Sequence, residues 1–441
     1  MASEKSNADR IIKALDELSV RKAHVVGCLS GDWGDLMSHH QDRLSSLTIV
    51  APHLNKGIPQ SAESNITPTL IVVGDHGAPA ERARALSERV TGAKLHLLTD
   101  YESPIWADVA GERTTEVEAA LRKFWGEVTT GCDPINPGVS AGEVFRVHYQ
   151  VEGSGPPVIF LPLSLSPSQW ASLIPRLTDD YCTIQLGGAY LGAISLLEER
   201  ARSGYGDLLA ELVKQVKISK GERVLEVGCG SGALARRIAE LTNHENPIFG
   251  TDLSPYLLAE AQRIAANESL DQVITFEQAN AEELPYADQS FDVSISSTVM
   301  EEGNANKMIS ELARVTKPGG RMLTVVRAVD VDWWVNVPLA PDRQRELNEF
   351  SGKAGAGVAP GGCADASLYE RIIAIDSRPV LMGPRFAFYR NGDSRMNDIL
   401  DRLSAALPAD TVDEFQKARD EAQAAGTICV GEPFHCAVMT R

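Results

Sequence analysis

The chain has 441 residues, which is enough for two or three domains of about 150 residues, each with its own core. Its 60 acidic and 42 basic residues leave a formal charge of −18, which disfavours a nucleic-acid partner because no local basic stripe offsets it. Seven cysteines without a Cys-x-x-Cys pair argue against a disulfide framework or a zinc site, and no apolar run reaches the ~18 residues of a membrane span. We therefore expect a cytoplasmic protein that acts on a small molecule and has no metal, membrane or nucleic-acid partner. The sequence leaves open whether the protein forms a homodimer.

Short β-branched runs alternate with helical patterns along almost the whole chain, which predicts α/β architecture with largely parallel sheets. Two breaks divide this pattern. Residues 129–142 contain two prolines and no apolar period, which indicates a linker. The second break lies near Lys220-Gly221, after an amphipathic helix over about 207–217. We predict one domain over 1–190 and a second over 191–441.

The N-terminal region carries three segments typical of a strand followed by a sharp turn: 23–31, 68–77 and 101–104. With these segments, residues 15–127 resemble the second half of an α/β-hydrolase. By that resemblance, Leu29 stands at the nucleophile position, Gly77 at the acid position and Glu102 at the histidine position. Since every member of the triad is missing, we expect this domain to be catalytically silent.

Residues 143–188 resemble the first half of the same fold, so the second half precedes the first. We interpret the region as one circularly permuted hydrolase-like sheet, because each half alone would expose long unpaired edges. This hypothesis predicts that strand 158–161 lies parallel to strand 24–27, with strand 182–186 on its other side. Separate sheets would instead indicate a swapped dimer. We expect the domain to act as a scaffold, to form a dimer or to cover the acceptor pocket.

The second domain opens with the sequence VLEVGCGSGALA over 224–235, which predicts a buried strand, a glycine turn and a helix. Glycine accepts positive φ and lets a ligand approach backbone N–H groups, and the helix N-terminus attracts negative charge. The next strand ends in Asp252, where a carboxylate accepts ribose hydroxyls. The pattern Gly228-x-Gly230-x-x-Ala233 also fits a loose dinucleotide fingerprint, so these residues alone leave a nicotinamide-dependent oxidoreductase open.

Three further segments follow in order, at 279–292, 314–321 and 427–439. With them, residues 205–441 resemble the class I S-adenosylmethionine-dependent methyltransferases, especially the small-molecule branch that includes quinone-biosynthesis enzymes. The resemblance implies a Rossmann-like domain with a seven-stranded, mostly parallel sheet, whose closing antiparallel strand leaves the chain end near the sheet edge. It implies S-adenosyl-L-methionine as cofactor, with the methionine end held by Glu226, Gly228, Cys229, Gly230 and Gly232, the ribose by Asp252, the adenine face by Leu253 and the adenine edge by Asn280 and Ala281.

Charge complementarity supports the same ligand. Glu226 places a carboxylate beside the glycine turn, and a carboxylate suits a sulfonium that carries an amino acid better than it suits a polyphosphate. Asn280 stands where the family usually has aspartate, and an amide contacts the adenine amine through its carbonyl oxygen. By analogy Tyr205 closes over the methionine end of the cofactor, although a plain turn between helices explains it equally well.

The acceptor side has fewer signals. Methyl transfer is an in-line displacement, so it needs a general base only when the acceptor is a protonated oxygen or nitrogen. Glu301 and Glu302 follow the strand 293–299, whose carboxyl end opens onto the ligand crevice, and His435 lies in the closing strand; these three are the predicted catalytic residues. The alternatives are that the glutamates cap or solvate the following helix over 304–314 and that His435 is structural.

Family members commonly build the acceptor pocket from inserts between the fifth strand and the last strands. Here the insert covers about 330–370 and includes a glycine-rich loop over 352–362. Trp333, Trp334 and Tyr369 are the predicted wall of an apolar acceptor pocket, and packing within the insert is the alternative. We therefore expect methylation of a small apolar or aromatic metabolite, with a non-enzymatic cofactor-binding interaction protein as a further alternative.

Overall fold

The computed structural model describes residues 7–28, 36, 39–52, 67–103, 109–128, 132–136, 140–144, 147–188, 191–351, 358–375 and 378–441. The chain forms two compact units, Met1–Leu196 and Leu197–Arg441. Within the described ranges, no helix combines the length and apolar character that crossing a bilayer requires. The predicted nucleophile position, Leu29, lies outside the described residues.

The first unit is built on an eight-stranded sheet in the order β4-β3-β2-β1-β7-β8-β6-β5. Its strands are β1 Ala23–Gly27, β2 Leu44–Val50, β3 Thr69–His76, β4 Lys94–Glu102, β5 Ser140–Val144, β6 Val147–Glu152, β7 Pro157–Phe160 and β8 Cys182–Gly187. All pairings are parallel except those of β6 with β8 and with β5. The helices are α1 Asn7–Glu17, α2 Gly77–Arg89, α3 Val109–Glu112, α4 Thr114–Glu127 and α5 Gly192–Arg202, which crosses the boundary between the units.

The centre of this sheet has the strand pairing that the permutation hypothesis predicts. β7 lies between β1 and β8 and is parallel to both: Val158 is opposite His24 on one side and Thr183 on the other. Val25 and Val26 are both buried and belong to the cores on opposite faces, as expected for a central strand with helices on both sides. The two halves therefore share one sheet, and the swapped-dimer alternative is not needed.

The second unit has a mixed sheet of eight strands in the order β11-β10-β9-β12-β13-β16, with β14 and β15 both paired to β16. The strands are β9 Val224–Val227, β10 Ile248–Asp252, β11 Ile274–Gln278, β12 Phe291–Ser297, β13 Thr316–Arg327, β14 Trp334–Val335, β15 Arg378–Arg390 and β16 Cys429–Thr440. The first five are parallel, and β16 runs antiparallel to its neighbours. The prediction of seven strands is wrong, because this sheet has eight. The additional strand is the two-residue β14, which pairs with β16 beyond the end of β13.

The closing strand β16 is one strand away from the sheet edge, so the chain end lies near that edge, as predicted. β16 lies inside the sheet, because β15 pairs with it from Arg378 to Arg390 on the side away from β13. Its residues from Val430 to Met439 are all buried. A near-continuous apolar run of this kind is typical of an interior strand rather than an edge strand.

Eight helices are described in the rest of the second unit: α6 Gly204–Val216, α7 Ala233–Leu241, α8 Pro255–Asn267, α9 Ala305–Val315, α10 Pro341–Ser351, α11 Ser367–Ile373, α12 Ser394–Ala406 and α13 Ala409–Ala424. The predicted helix over 207–217 is α6, which begins earlier. The side chains of Ser254 and Asn304 accept the N–H groups of Leu257 and Lys307, so they cap α8 and α9. These helices pack on both faces and leave the carboxyl ends of the parallel strands as the open edge, where sheets of this type bind ligands.

Candidate functional site

The turn after β9 needs its three glycines. Gly228, Gly230 and Gly232 have φ values of +75°, +54° and +73°, a region that residues with a side chain rarely adopt. A Cβ at Gly228 would lie 2.1 Å from a methyl group of Val299, and one at Gly232 would lie 2.6 Å from the ring of Phe276. The turn is therefore fixed in shape by close packing beneath it as well as by its backbone conformation.

Glu226 brings a buried carboxyl group to the start of this turn. The residue is 4% exposed, and its Oε2 has no hydrogen-bond partner in the described part of the chain. Burial raises the pKa of Glu226 to about 8, and the nearby charge of Asp252 acts in the same direction. A buried carboxyl oxygen without a partner is costly, so its presence beside a ligand turn favours a cationic ligand that would satisfy it.

Asp252 stands at the tip of the neighbouring strand. Its Oδ2 accepts the N–H of Gly230 at 2.8 Å, and its Oδ1 accepts the N–H of Ser254 at 2.9 Å. Burial raises the pKa of this carboxyl group. Each oxygen still has a lone pair for a hydroxyl, and the next residue, Leu253, is 67% exposed and offers an apolar surface beside it.

The remaining predicted cofactor residues differ in exposure. Cys229 is buried and burial raises the pKa of its thiol, while its N–H donates to the carbonyl of Thr251 at 2.8 Å. Asn280 is exposed, and its Oδ1 accepts the N–H of Glu282 at 2.9 Å, whereas Ala281 is half-buried. The carbonyl oxygen that was expected to meet the adenine amine therefore also closes a local turn.

A buried ion pair that the sequence analysis missed holds the glycine turn from the other side. Glu198 on α5 pairs with Arg236 on α7 at 2.6 Å, and both side chains are less than 10% exposed. Glu198 also accepts the hydroxyl of Ser231 at 2.7 Å, while Arg236 donates to the Ser231 carbonyl at 2.8 Å. The two charged residues are 38 positions apart in the sequence, and no local pattern indicates that they pair.

Tyr205 belongs to α6 and is buried against the end of β12. Its hydroxyl bonds to that of Ser297, and the guanidinium of Arg200 lies 3.7 Å from the centre of its ring. The ring of Phe434 packs against it with centroids 4.8 Å apart. Tyr205 thus lies at the same edge of the sheet as the glycine turn, held by contacts on several sides.

The two predicted catalytic glutamates have opposite environments. Glu301 is 1% exposed; its Oε1 accepts the N–H of Arg327 at 2.8 Å, and its Oε2 has no partner among the residues described. Burial raises the pKa of Glu301. Glu302 is exposed, and its N–H closes a turn onto the Val299 carbonyl at 2.9 Å. Asn304 is the N-cap of α9, so neither glutamate has the capping role considered as the alternative.

His435 is 2% exposed and has both ring nitrogens engaged. Its Nε2 lies 2.7 Å from Oδ1 of Asp330, and its Nδ1 lies 2.8 Å from the Tyr369 hydroxyl. Asp330 is not among the residues predicted from the sequence, although its place just after β13 is a signal for a ligand-facing residue.

The predicted wall of the acceptor pocket is divided among three environments. Trp333 is half-buried and packs against the core on the α6 face, whereas Trp334 is 45% exposed. The Trp334 ring meets Phe388 edge-on, with centroids 6.1 Å apart. Tyr369 bonds to His435, as described above.

A cavity of about 440 Å³ opens elsewhere in the second unit, between the start of α6 and the end of β15. Its lining includes Asp207, Phe386 and Arg390, and it includes none of the predicted site residues. The described residues contain no group of three or more His, Cys, Asp or Glu side chains that could hold a metal ion.

Comparisons with known proteins bear on this site. Residues 218–347 match the family model described as a methyltransferase domain. The ubiquinone/menaquinone biosynthesis C-methyltransferase UbiE of Bdellovibrio bacteriovorus is 40% identical over 116 residues, which cover 26% of this chain and 48% of that protein. A demethylmenaquinone methyltransferase of Halalkalibacterium halodurans is 32% identical over 114 residues, covering 26% and 46%. The solved YcgJ protein of Bacillus subtilis is 19% identical, covers 54% of this chain and 98% of its own, and gives a TM-score of 0.35.

The chain spans about half the length of the curated relatives it matches. The family match lies inside the second unit and runs from just before β9 into α10. The second unit therefore contains a class I methyltransferase domain, for which S-adenosylmethionine is the methyl donor. This confirms the predicted enzyme family and cofactor and disfavours the nicotinamide alternative, while the first unit keeps no family assignment.

Proposed function

We propose that this protein transfers the methyl group of S-adenosylmethionine to a small-molecule acceptor. The observation that carries the proposal is the presence of two carboxyl groups at adjacent strand ends. One is Glu226, whose buried Oε2 lacks a partner within the described ranges, and the other is Asp252. The positive-φ turn between them leaves room for a ligand at the backbone. A cationic amino acid joined to a ribose satisfies both carboxyl groups, so the residues present fit this cofactor.

In this proposal each cofactor residue has one task. Glu226 accepts the ammonium group at the methionine end, Asp252 accepts the ribose hydroxyls, and Leu253 covers the adenine face. Cys229 and the neighbouring glycines contribute backbone only, since burial keeps the Cys229 thiol neutral. When bound, S-adenosylmethionine supplies an electrophilic methyl group, and the chain's task is to align an acceptor with it.

Glu301 supports an acceptor end beside β12 in this proposal, because it follows that strand and is buried with one oxygen left without a partner in the described chain. Glu302 is exposed, so we assign it no contact with an enclosed acceptor. Relatives named for ubiquinone, menaquinone and demethylmenaquinone support an apolar, aromatic acceptor. The three predicted wall residues, Trp333, Trp334 and Tyr369, remain the candidates for enclosing it.

Calorimetry with S-adenosylhomocysteine tests the cofactor site. We expect the parent to bind and the Asp252→Ala variant to lose most of its affinity, while Asp271→Ala, which removes an exposed carboxylate of the same unit, binds like the parent. Thermal protection by S-adenosylhomocysteine but not by NAD separates the methyltransferase from the oxidoreductase. Absence of binding by the parent would contradict the proposal.

A labelled-methyl experiment tests the reaction. The small-molecule fraction of a cell extract is incubated with methyl-labelled S-adenosylmethionine and either the parent or Asp252→Ala. We expect a product of shifted mass with the parent alone, and its structure names the acceptor. Tight cofactor binding without any labelled product across extracts would favour the non-enzymatic alternative.

For the first unit we propose a circularly permuted, catalytically silent hydrolase-like domain. Renumbered from β5 onward, its strand order becomes 1-2-4-3-5-6-7-8 with only the second strand antiparallel, which is the α/β-hydrolase order. A Cβ at Gly77 would lie 2.4 Å from Oε1 of Glu102, so the acid and base positions are adjacent, as a triad requires. The full chain should not hydrolyse p-nitrophenyl acetate above the rate of the heat-unfolded protein, and burst release of nitrophenol would refute the silent assignment.

A further inference from the structure

The side chains of Asp330, His435 and Tyr369 are joined by hydrogen bonds at the carboxyl edge of the second sheet, and they come from three separate segments. Asp330 follows β13, His435 lies on β16 opposite Val326 near the end of β13, and Tyr369 is on α11. The imidazole and phenol rings meet at 88° with centroids 5.2 Å apart. The three side chains therefore form one continuous hydrogen-bonded series.

The end groups set the hydrogen-bond directions of this series when its imidazole is neutral. The hydrogen bond from His435 helps to hold the pKa of Asp330 below its usual value against the effect of burial, so this carboxylate is ionised and only accepts. Nε2 of His435 must then carry the proton that it donates to Asp330. In the neutral imidazole Nδ1 is an acceptor, and it accepts a hydrogen bond from the Tyr369 hydroxyl. This is the arrangement of a Ser-His-Asp triad with a phenol in the serine position.

Backbone hydrogen bonds hold the segment that leads into α11 beside the turns that follow β12 and β13. The N–H of Cys363 donates to the Met300 carbonyl at 2.9 Å, and the N–H of Val329 donates to the Ala364 carbonyl at 2.9 Å. The N–H of Ala366 donates to Oδ2 of Asp330 at 3.1 Å. The segment that carries Tyr369 is thus fixed between the turn containing Glu301 and the turn containing Asp330, at the acceptor end of the site.

His435 cannot itself contact an acceptor through a ring nitrogen, because both nitrogens are bonded to protein groups and the residue is 2% exposed. Tyr369 is only partly buried and donates its own proton inward. The Cys436 N–H takes one lone pair of the Tyr369 oxygen, and the other lone pair remains available for a further hydrogen bond. The end of the series that has this capacity is therefore the phenol.

We propose that Tyr369 is the catalytic residue that takes the acceptor's proton, and that His435 and Asp330 are positioning residues that draw the phenol proton inward. The inference rests on the proposed function and deepens it, because a relay of this kind requires an acceptor whose methylated atom carries a proton, in the first instance a hydroxyl. The acceptor proton passes to the Tyr369 oxygen as the phenol proton passes to Nδ1 of His435. The acceptor oxygen keeps the electron pair that forms the new C–O bond, and the sulfur keeps the pair of the broken C–S bond. Asp330 holds the imidazolium until Nδ1 returns its proton to the Tyr369 oxygen, as that oxygen passes the proton taken from the acceptor to water.

The test uses the full chain and three variants. Tyr369→Phe removes only the hydroxyl, Asp330→Asn removes the charge, and Tyr389→Phe is the matched control, since it removes another buried hydroxyl that donates to Glu432 at 2.7 Å. We expect all three to bind S-adenosylhomocysteine within about twofold of the parent. With the acceptor identified by the labelled-methyl screen, kcat should fall about 100-fold or more in Tyr369→Phe and Asp330→Asn at unchanged KM, and stay at the parent value in the control.

Proton NMR gives a readout that does not depend on turnover. The Nε2–H of His435, bonded to a carboxylate, should give a resonance downfield of the backbone amides that His435→Gln abolishes and Asp330→Asn shifts. Absence of that resonance, or turnover of the Tyr369→Phe variant at the parent rate, would overturn the relay alone. A parent that binds S-adenosylhomocysteine but labels nothing overturns the proposed function and the relay with it.

Discussion

Cofactor binding should expel a proton from Glu226. Burial raises the pKa of this group from 4.5 to about 8, so at about pH 7 the carboxyl is roughly 90% protonated. An ammonium group favours the carboxylate, and binding should therefore release about 0.9 proton per site at that pH. The affinity for S-adenosylhomocysteine should rise about tenfold per pH unit up to about pH 8 and then level off.

The ligand-free protein should show the opposite trend in stability. The folded chain holds the Glu226 proton up to about pH 8, whereas the unfolded chain releases it near pH 4.5. Between these values the folded state binds more protons, so the free energy of unfolding should fall as the pH rises, by up to about 1.4 kcal/mol per unit. Above about pH 8 this contribution is constant.

Calorimetry in two buffers of different ionisation enthalpy measures the released protons directly. Glu226→Gln should release none and should bind with an affinity that no longer changes between about pH 6 and 8. Glu240→Gln is the matched control, because it removes an exposed carboxylate from α7. Release of less than about 0.3 proton by the parent, or the same pH dependence in the Glu226→Gln variant, would refute the reasoning.

Three further outcomes concern stability, measured by urea unfolding of the full chain. Gly228→Ala should cost about 1–3 kcal/mol more than Gly221→Ala, because both glycines have positive φ but only the first would place a Cβ against a neighbour. Arg236→Met should cost about 3–5 kcal/mol by leaving Glu198 buried without its cation, and it should also weaken S-adenosylhomocysteine binding. Trp170→Phe should destabilise the first unit by about 1–3 kcal/mol, because the Leu161 carbonyl loses an indole donor at 2.7 Å; equal stability to the parent would contradict this.

Local signals predicted the strand, glycine turn and helix of the candidate cofactor site. The glycine turn, Glu226 and Asp252 all lie within 30 residues, and each position follows from a strand end or a backbone requirement visible in the sequence. The pairing of β1 with β7 was also predictable, because two recognisable half-folds with unpaired edges have few ways to combine.

The acceptor side was less predictable because its contacts join distant residues. His435 and Asp330 are 105 positions apart, and nothing in either segment indicates the other. In the sequence His435 is an isolated candidate base, whereas its place within a hydrogen-bonded series depends on tertiary packing. The exact position of β16 also depends on a distant segment. β15 pairs with it as the outermost strand, and the two prolines and exposed arginines of β15 are typical of an edge.

The inner position of β16 has a consequence for synthesis on the ribosome. β15 pairs with no strand but β16 in the described part of the sheet, so it has nowhere to dock when it first emerges. Until residues 429–440 follow, the nascent chain carries β13 with one side unpaired and β15 without its partner strand. Translation that stalls in α13 should therefore yield an aggregation-prone intermediate and a chaperone client rather than a partly active enzyme.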